Sequence, residues 1–321
     1  MKESFYNHYL AQENIVLLYN SFRDAYSVLN KSVFDNIISD NGNIDIDKLK
    51  NTHSSTMNSL FENGFIVEDD VDEKALCENL KHNRRFSKGI YEVTINPTLD
   101  CNLKCWYCYE NHKSKSSLSE ENIQNIITHL RYKCRMEPFE FLKLNFFGGE
   151  PILKPKVIKE IISKIKELAR EFEFKFSVHF TTNGTVIPKS LLEELNGLDV
   201  TFQITFDGNK SQHDTVRMRK ILGDNSGTYQ LILNNIKRIY NEIENVFVNI
   251  RINFSTETLA GLENIVDDLD FCDRKRVIIS LHKVWQVDGA SVDKSRLFEF
   301  IRYANSKLFI VNYMLFSNFN G

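Results

Sequence analysis

Residues 90–108 read Ile90-Tyr-Glu-Val-Thr-Ile-Asn96-Pro97-Thr-Leu-Asp-Cys101-Asn-Leu-Lys-Cys105-Trp-Tyr-Cys108. The run from Ile90 to Asn96 is rich in β-branched and aromatic residues and predicts a strand. Pro97 has no N–H to give a ladder, so the chain is expected to leave the sheet there as a loop. Three thiols within eight residues therefore stand at the C-terminal end of a strand.

Outward from this stretch, apolar strand-like runs alternate with segments of helical period, the pattern of a parallel sheet with crossover helices. Strands are expected at Ile90 to Asn96, Leu142 to Phe147, Lys175 to Thr181, Val200 to Phe206, Val246 to Phe254 and Val277 to Val284. Ser119 is placed to cap the first helix, ahead of Glu120 and Glu121 and a stripe of Ile123, Ile126, Ile127 and Leu130. Ile158, Ile161, Ile162, Ile165 and Leu168 give Pro155 to Phe172 one apolar face. Further helices are expected near Pro188 to Leu195, Tyr229 to Glu244, Leu259 to Phe271 and Asp293 to Leu308. Six strand-helix units are too few to close an eight-stranded barrel. The fold class is α/β, a partial (β/α)6 barrel over 86–310 with 311–321 as a C-terminal tail.

Residues 1–85 follow another rule. Strand-like Ile15 to Tyr19 and Ala25 to Leu29 precede helical stretches near Ser32 to Ile38 and Ser54 to Phe61, and Gly64 to Val67 reads as a short closing strand. This is a small α+β domain of winged-helix type. The acidic run Glu68 to Glu73 and the basic stretch Lys81 to Lys88 read as a solvated linker. Forty Lys and Arg against 43 Asp and Glu leave a net charge of -3. That offers no global attraction for nucleic acid or an anionic membrane, so small-molecule or peptide partners are expected. Charges interrupt any signal-peptide core between Met1 and Leu18, and no later stretch is long and apolar enough to span a bilayer, so the expected location is the cytoplasm.

Cys77, Cys134 and Cys272 have no ligand-like spacing and are expected to be inert buried thiols. The other three cysteines differ from them. Four-iron clusters are usually held by four thiolates, so three on one loop leave an iron open for chemistry. Zinc is the alternative, with His112 as a fourth ligand. Structural zinc sites generally bring two close pairs from separate places, which favours iron-sulfur while leaving both metals open. Gly148-Gly149-Glu150-Pro151, Thr182-Asn183-Gly184 and Asp207-Gly208 end the next three expected strands, on the face where barrel active sites form. Paired glycines there permit close backbone approach to a ligand.

These residues together resemble the radical SAM superfamily. Cys101, Cys105, Tyr107 and Cys108 are similar to its C-x3-C-x-Y-C signature, Gly148 to Pro151 to its GGEP motif, and Thr182 to Gly184 to its TNG. Ile204-Thr205-Phe206-Asp207-Gly208 resembles S-x-D-G with Thr205 for the usual Ser, and His213-Asp214 with Arg217 resembles the following HDxxR. Arg251 and Asn253 end the fifth strand much as in relatives. The resemblance implies a 4Fe-4S cluster on Cys101, Cys105 and Cys108, with S-adenosylmethionine (SAM) contacted by Gly148, Gly149, Glu150, Asn183, Thr205, Arg217 and Asn253. Glu150 is implied to meet the SAM amino group and Arg217 its carboxylate. It further implies that SAM chelates the open iron and is cleaved to a 5′-deoxyadenosyl radical after reduction by a donor such as flavodoxin or ferredoxin. Trp106 and Tyr107 are expected to shield the cluster.

Within the superfamily the pattern is most similar to the SPASM/twitch-type peptide and protein maturases, whose leader-recognition domain the N-terminal unit resembles. A precursor peptide is the implied partner, and a thioether or other cross-link in a ribosomally made peptide the implied product. An anaerobic sulfatase-maturase-type enzyme is a second expectation, and a degenerate homologue acting as a binding partner a third. No cysteine follows Cys272 before Gly321. Auxiliary clusters are therefore expected to be absent, or to belong to a C-terminal domain that this sequence does not include.

Overall fold

In the computed structural model, residues 1–87 and 88–321 form two separate units. The structure describes residues 1–39, 42–85, 89–221, 223–224, 226–255, 258–284 and 294–313.

In the first unit β1 (Lys2–Glu3) pairs with β5 (Ile66–Val67), and β2 (Asn7–Ala11), β3 (Ile15–Asn20) and β4 (Ala25–Asn30) form an antiparallel sheet in that order. Alternation along β3 sends Val16, Leu18 and Asn20 inward. The two apolar side chains pack with Ile37 of α1 (Lys31–Ile37), Leu49 of α2 (Ile46–Thr52), and Met57 and Leu60 of α3 (Ser54–Glu62). Asn20 is tolerated there because its amide donates to Ser4 Oγ and the Gly64 carbonyl, and its Oδ1 accepts from the Arg23 N–H. Leu10, Tyr26 and Val28 are exposed, and β2 and β4 are the edges of the sheet.

The stretch expected to be a solvated linker contains a helix, α4 (Glu73–Arg85). Its charges have partners rather than only solvent. Asp72 accepts from the Ala75 N–H at 3.0 Å as a cap, and the buried Glu73 carboxylate accepts from Ser4 Oγ and the Phe5 N–H. Residues 86–88 of that stretch lie outside the described residues.

The second unit carries one parallel sheet in chain order: β6 (Ile90–Thr98), β7 (Phe141–Gly148), β8 (Lys175–Thr182), β9 (Asp199–Phe206), β10 (Val246–Phe254), β11 (Val277–Lys283) and β12 (Val311–Tyr313). The first six coincide with the expected strands and give the α/β partial barrel. The seventh falls where a tail was expected, because Val311 and Tyr313 extend β11 in parallel register opposite Ile279 and Leu281. The crossovers carry α5 (Glu120–Met136), α6 (Pro155–Phe172), α7 (Lys189–Leu195), α8 (Lys210–Val216), α9 (Tyr229–Glu242), α10 (Glu263–Asp268) and α11 (Lys294–Ser306). Ser119 caps α5, accepting from the Asn122 N–H at 3.2 Å.

The α6 isoleucines are fully buried in the same core as Phe146, Phe180 and Phe202. The three rings stack across adjacent strands at 5.2 and 5.0 Å. Each such side chain contributes about 1.5–3 kcal/mol by leaving water. α10 is shorter than expected because Gly261 has φ +87, which a right-handed helix does not accommodate. Cys134 and Cys272 are buried as expected, whereas Cys77 is half-buried. No described helix is long and apolar enough to cross a membrane.

Candidate active site

Pro97 does not end β6 outright. The strand slips register between Ile95 and Thr98, and the loop begins after Thr98. Asp100 then closes that loop on itself, accepting from the Cys101 N–H at 2.9 Å and the Lys115 N–H at 2.8 Å. Leu103 bridges Arg219, the Lys104 N–H donates to the Met218 carbonyl, and the Lys220 N–H donates to the Asn102 carbonyl. The first half of the cysteine loop is thus fastened by backbone hydrogen bonds to the segment after α8.

Cys101 is buried, Cys105 half-buried and Cys108 exposed. Burial pushes the Cys101 thiol up, and burial likewise pushes Cys105 up to about 11, so both thiols need a positive partner to ionise. Donors are already aimed at sulfur: the Leu103 N–H at 3.5 Å and Asn183 Nδ2 at 3.8 Å reach Cys101. His112 Nε2 lies 3.6 Å from Cys108 Sγ, and its Nδ1 lies 3.2 Å from Lys220 Nζ. An ammonium donates only, so Nδ1 is the acceptor and Nε2 carries the proton toward Cys108. In this tautomer His112 offers the sulfur a donor. Among the described residues no three His, Cys, Asp or Glu side chains converge on a single ion. Each cysteine of a four-iron cubane binds a different iron, so three thiols on one loop need not converge on a single point to hold such a cluster.

The turn after β7 closes against the base of this loop. The Glu150 N–H donates to the Asp100 carbonyl at 2.8 Å and the Gly149 N–H to the Thr98 carbonyl at 3.2 Å. A Cβ at Gly149 would run into the Asp100 carbonyl, which is why glycine is required there. Gly149→Ala should push the turn off the loop, lowering the melting temperature by an amount equivalent to about 1–3 kcal/mol and cutting iron uptake in anaerobic reconstitution. Wild-type values of both would show that the turn yields without disturbing the loop.

Glu150, which the resemblance implies to meet the SAM amino group, stands at the end of this turn. Its carboxylate is fully buried, accepts from Thr182 Oγ1, the Asn183 N–H and the Ile152 N–H, and lies behind the cavity wall rather than on it. Burial raises it to about 7. In this arrangement Glu150 is a strut between the ends of β7 and β8, and it orients Asn183. Asn183 faces the loop, donating to Asn102 Oδ1 at 2.9 Å.

Tyr107 does more than cover the loop. Its hydroxyl meets the Asp207 carboxylate at 2.7 Å and accepts from Arg217 Nη2 at 2.9 Å and Asn253 Nδ2 at 3.0 Å. Arg217 is ion-paired with Asp207, and both are buried. His213 and Asp214 act as staples. His213 Nδ1 accepts from the Asp207 N–H, burial pushes His213 down to about 3 so that it stays neutral, and Asp214 caps α9 through the Thr228 and Tyr229 N–H groups. Trp106 is exposed.

A cavity of about 580 Å³ opens at this end of the sheet, a volume ordinary for a small-molecule site. Cys101, Cys105, Cys108, Gly148, Gly149, Asn183, Thr205, Arg217 and Asn253 all line it; Glu150 does not. The sequence reading did not single out Asp100, Asn102 or the Tyr107 hydroxyl. The aspartate before Cys101 was a legible turn-closing signal, whereas nothing local marks the other two.

The family described as Radical SAM superfamily matches residues 95–269, more than half of the chain. A radical SAM cyclopropyl synthase, TigE, of Paramaledivibacter caminithermalis is 24% identical over 53% of this chain and 41% of its own. A probable GTP 3′,8-cyclase of Methanococcus aeolicus is 28% identical over 64% of this chain and 62% of its own. The chain therefore spans about two fifths to three fifths of these curated relatives. Among solved structures, native anSMEcpe with bound AdoMet superposes with a TM-score of 0.54 at 19% identity, over 70% of this chain and 63% of that one. Streptococcus suis SuiB bound to precursor peptide SuiA superposes with a TM-score of 0.50 at 14% identity, over 98% and 72% respectively.

Proposed function

Because the chain belongs to the radical SAM superfamily, whose members use a 4Fe-4S cluster and SAM, we propose that it reductively cleaves SAM in order to modify a ribosomally made peptide. The observation that carries the reading is the pairing, on one chain, of the cysteine-lined cavity with an independent α+β unit whose sheet has open edges. The likeness to SuiB bound to precursor peptide SuiA spans both units, and the relative TigE is described as a radical SAM cyclopropyl synthase.

Cys101, Cys105 and Cys108 are proposed to hold the cluster, with Gly148, Gly149, Asn183, Thr205 and Asn253 facing SAM. When bound, the pair supplies a 5′-deoxyadenosyl radical that takes a hydrogen atom from the substrate. The chain's own contribution is placement. Glu150 and Asn183 fix the loop at Cys101, Tyr107 fixes it between Cys105 and Cys108, and Arg217 is the counter-charge that keeps Asp207 on Tyr107. The precursor would add as a strand to an edge of the N-terminal sheet, drawing affinity from backbone hydrogen bonds and specificity from alternate side-chain pockets.

Anaerobic protein given iron, sulfide, dithionite and SAM should form 5′-deoxyadenosine, and added precursor should lose hydrogen in step with it by mass spectrometry. Formation of 5′-deoxyadenosine with no change in any candidate precursor would overturn the peptide assignment while leaving the cleavage intact. A sulfatase-maturase-type reaction on a protein side chain is the second reading. It is favoured by the barrel's superposition on anSMEcpe, and it predicts indifference to loss of the N-terminal unit.

A further inference from the structure

Two guanidinium groups line the cavity, and only one of them is neutralised. Arg217 is ion-paired with Asp207. Arg251, half-buried on β10, makes no ion pair among the described residues; its hydrogen bond runs from Nε to Asn253 Oδ1 at 2.9 Å. The two terminal nitrogens remain, the pair that grips a planar carboxylate bidentately. Asn253 holds the guanidinium by its Nε end and is itself held by Tyr107. A buried charge is costly unless it is paired, and burial draws Arg251 below its ordinary value. The adjacent strands offer it neutral neighbours, Thr205 on β9 and Ser280 on β11. Lys283 and Glu110 line the same cavity, so its charged lining is mixed. Arg251 is thus oriented and partly desolvated, with Asp207 acting on it through space and no ion-pair partner among the described residues.

An anion that would pair with Arg251 is not readily SAM's. A carboxylate that chelates the cluster stays beside the cysteines, and Arg251 stands two strands, roughly 10 Å, beyond β8, whose following Asn183 touches Cys101. We propose that Arg251 receives a carboxylate of the substrate, so that the peptide enters with an acidic side chain or its C-terminus beside the residue to be modified. This rests on the peptide reading above.

The test uses the full, anaerobically reconstituted chain with SAM present. Binding of acetyl-Ala-Glu-Ala-amide and of its Gln counterpart is followed by ligand-observed NMR in wild type, Arg251→Gln and Arg251→Lys. Wild type should prefer the Glu probe about tenfold, Arg251→Gln should lose the preference, and Arg251→Lys should keep part of it, with iron content, melting temperature and SAM affinity alike in all three. Equal binding of both probes by the wild type overturns the proposal. Loss of SAM affinity in Arg251→Gln, with the probe preference unchanged, assigns the residue to SAM's carboxylate and overturns it too. GTP serves as a third probe: binding that Arg251→Gln abolishes, without any peptide preference, would leave an anion receptor at Arg251 and sink the peptide reading instead.

Discussion

Replacement of any one of Cys101, Cys105 and Cys108 by alanine should take the iron from about four per chain to nearly none after anaerobic reconstitution, and abolish SAM cleavage with it. The effect should be all-or-none because each thiolate would be the sole protein ligand of its iron. Most of the fastenings of the surrounding loop do not involve the sulfurs. Asp100, the pairing with residues 218–220 and the Tyr107 hydroxyl fasten it. The variants should therefore fold and melt near the wild type, which separates loss of metal from loss of structure. Cys77→Ala and Cys272→Ala should retain full iron. Iron retained in Cys105→Ala, or zinc at full occupancy with no iron-dependent absorbance, would remove the cluster from this loop.

The barrel was legible because its strands and helices differ in period. Val246 to Phe254 was assigned to the residue, and the isoleucine stripe of α6 could not be mistaken for a strand. Short polar elements were not legible. α8, with seven residues and the capping pair Asn209 and Gln212, has too little apolar periodicity to stand out, and α4 was hidden by charges such as Glu73, whose partners, Ser4 and the Phe5 N–H, lie 69 and 68 residues away in sequence. The same divide runs through the site. Motifs at strand ends placed the cysteines, Asn183, Thr205 and Asn253 on one cavity, but whether an acid faces ligand or protein depends on contacts between strands. The contacts that Glu150 makes with Thr182 and the Asn183 N–H, and those of Arg217, which lines the cavity, with Asp207 and Tyr107, could not be read from the motifs.

Removal of residues 1–87 should nearly eliminate modification of a full-length precursor, a loss of about 10²-fold or more, while reductive cleavage of SAM continues close to the wild-type rate. The cut falls at the division between the two units, and each unit has its own hydrophobic core. The barrel should therefore survive it, as circular dichroism and iron content would verify. A cut at residue 80 would instead leave part of α4 behind. The expected size follows from tethering. A leader held on the N-terminal unit presents the reactive segment at an effective concentration in the millimolar range, and that advantage disappears when the unit is deleted. Excess leader peptide supplied in trans should inhibit the intact enzyme and not the truncated one. A truncated enzyme that processes the precursor as fast as the intact chain would make the unit a folding cap and favour the protein-side-chain reading.

The way the cysteine loop is tied down also bears on how it acquires metal. In a zinc finger the ion organises the chain, so binding energy is spent on folding and a chelator unfolds the protein. Here residues 99–116 are held by Asp100, by Thr98 reaching the Ser116 carbonyl and by the Tyr107 hub without any cysteine sulfur taking part in those bonds. Ordering such a stretch costs about 1–2 kcal/mol for each residue fixed, and folding has already met that cost before iron arrives. Assembly of the cluster is then closer to filling a rigid mould than to moulding a slack chain. After oxygen destroys the cluster these contacts should still hold the loop, so that reassembly needs no round of refolding.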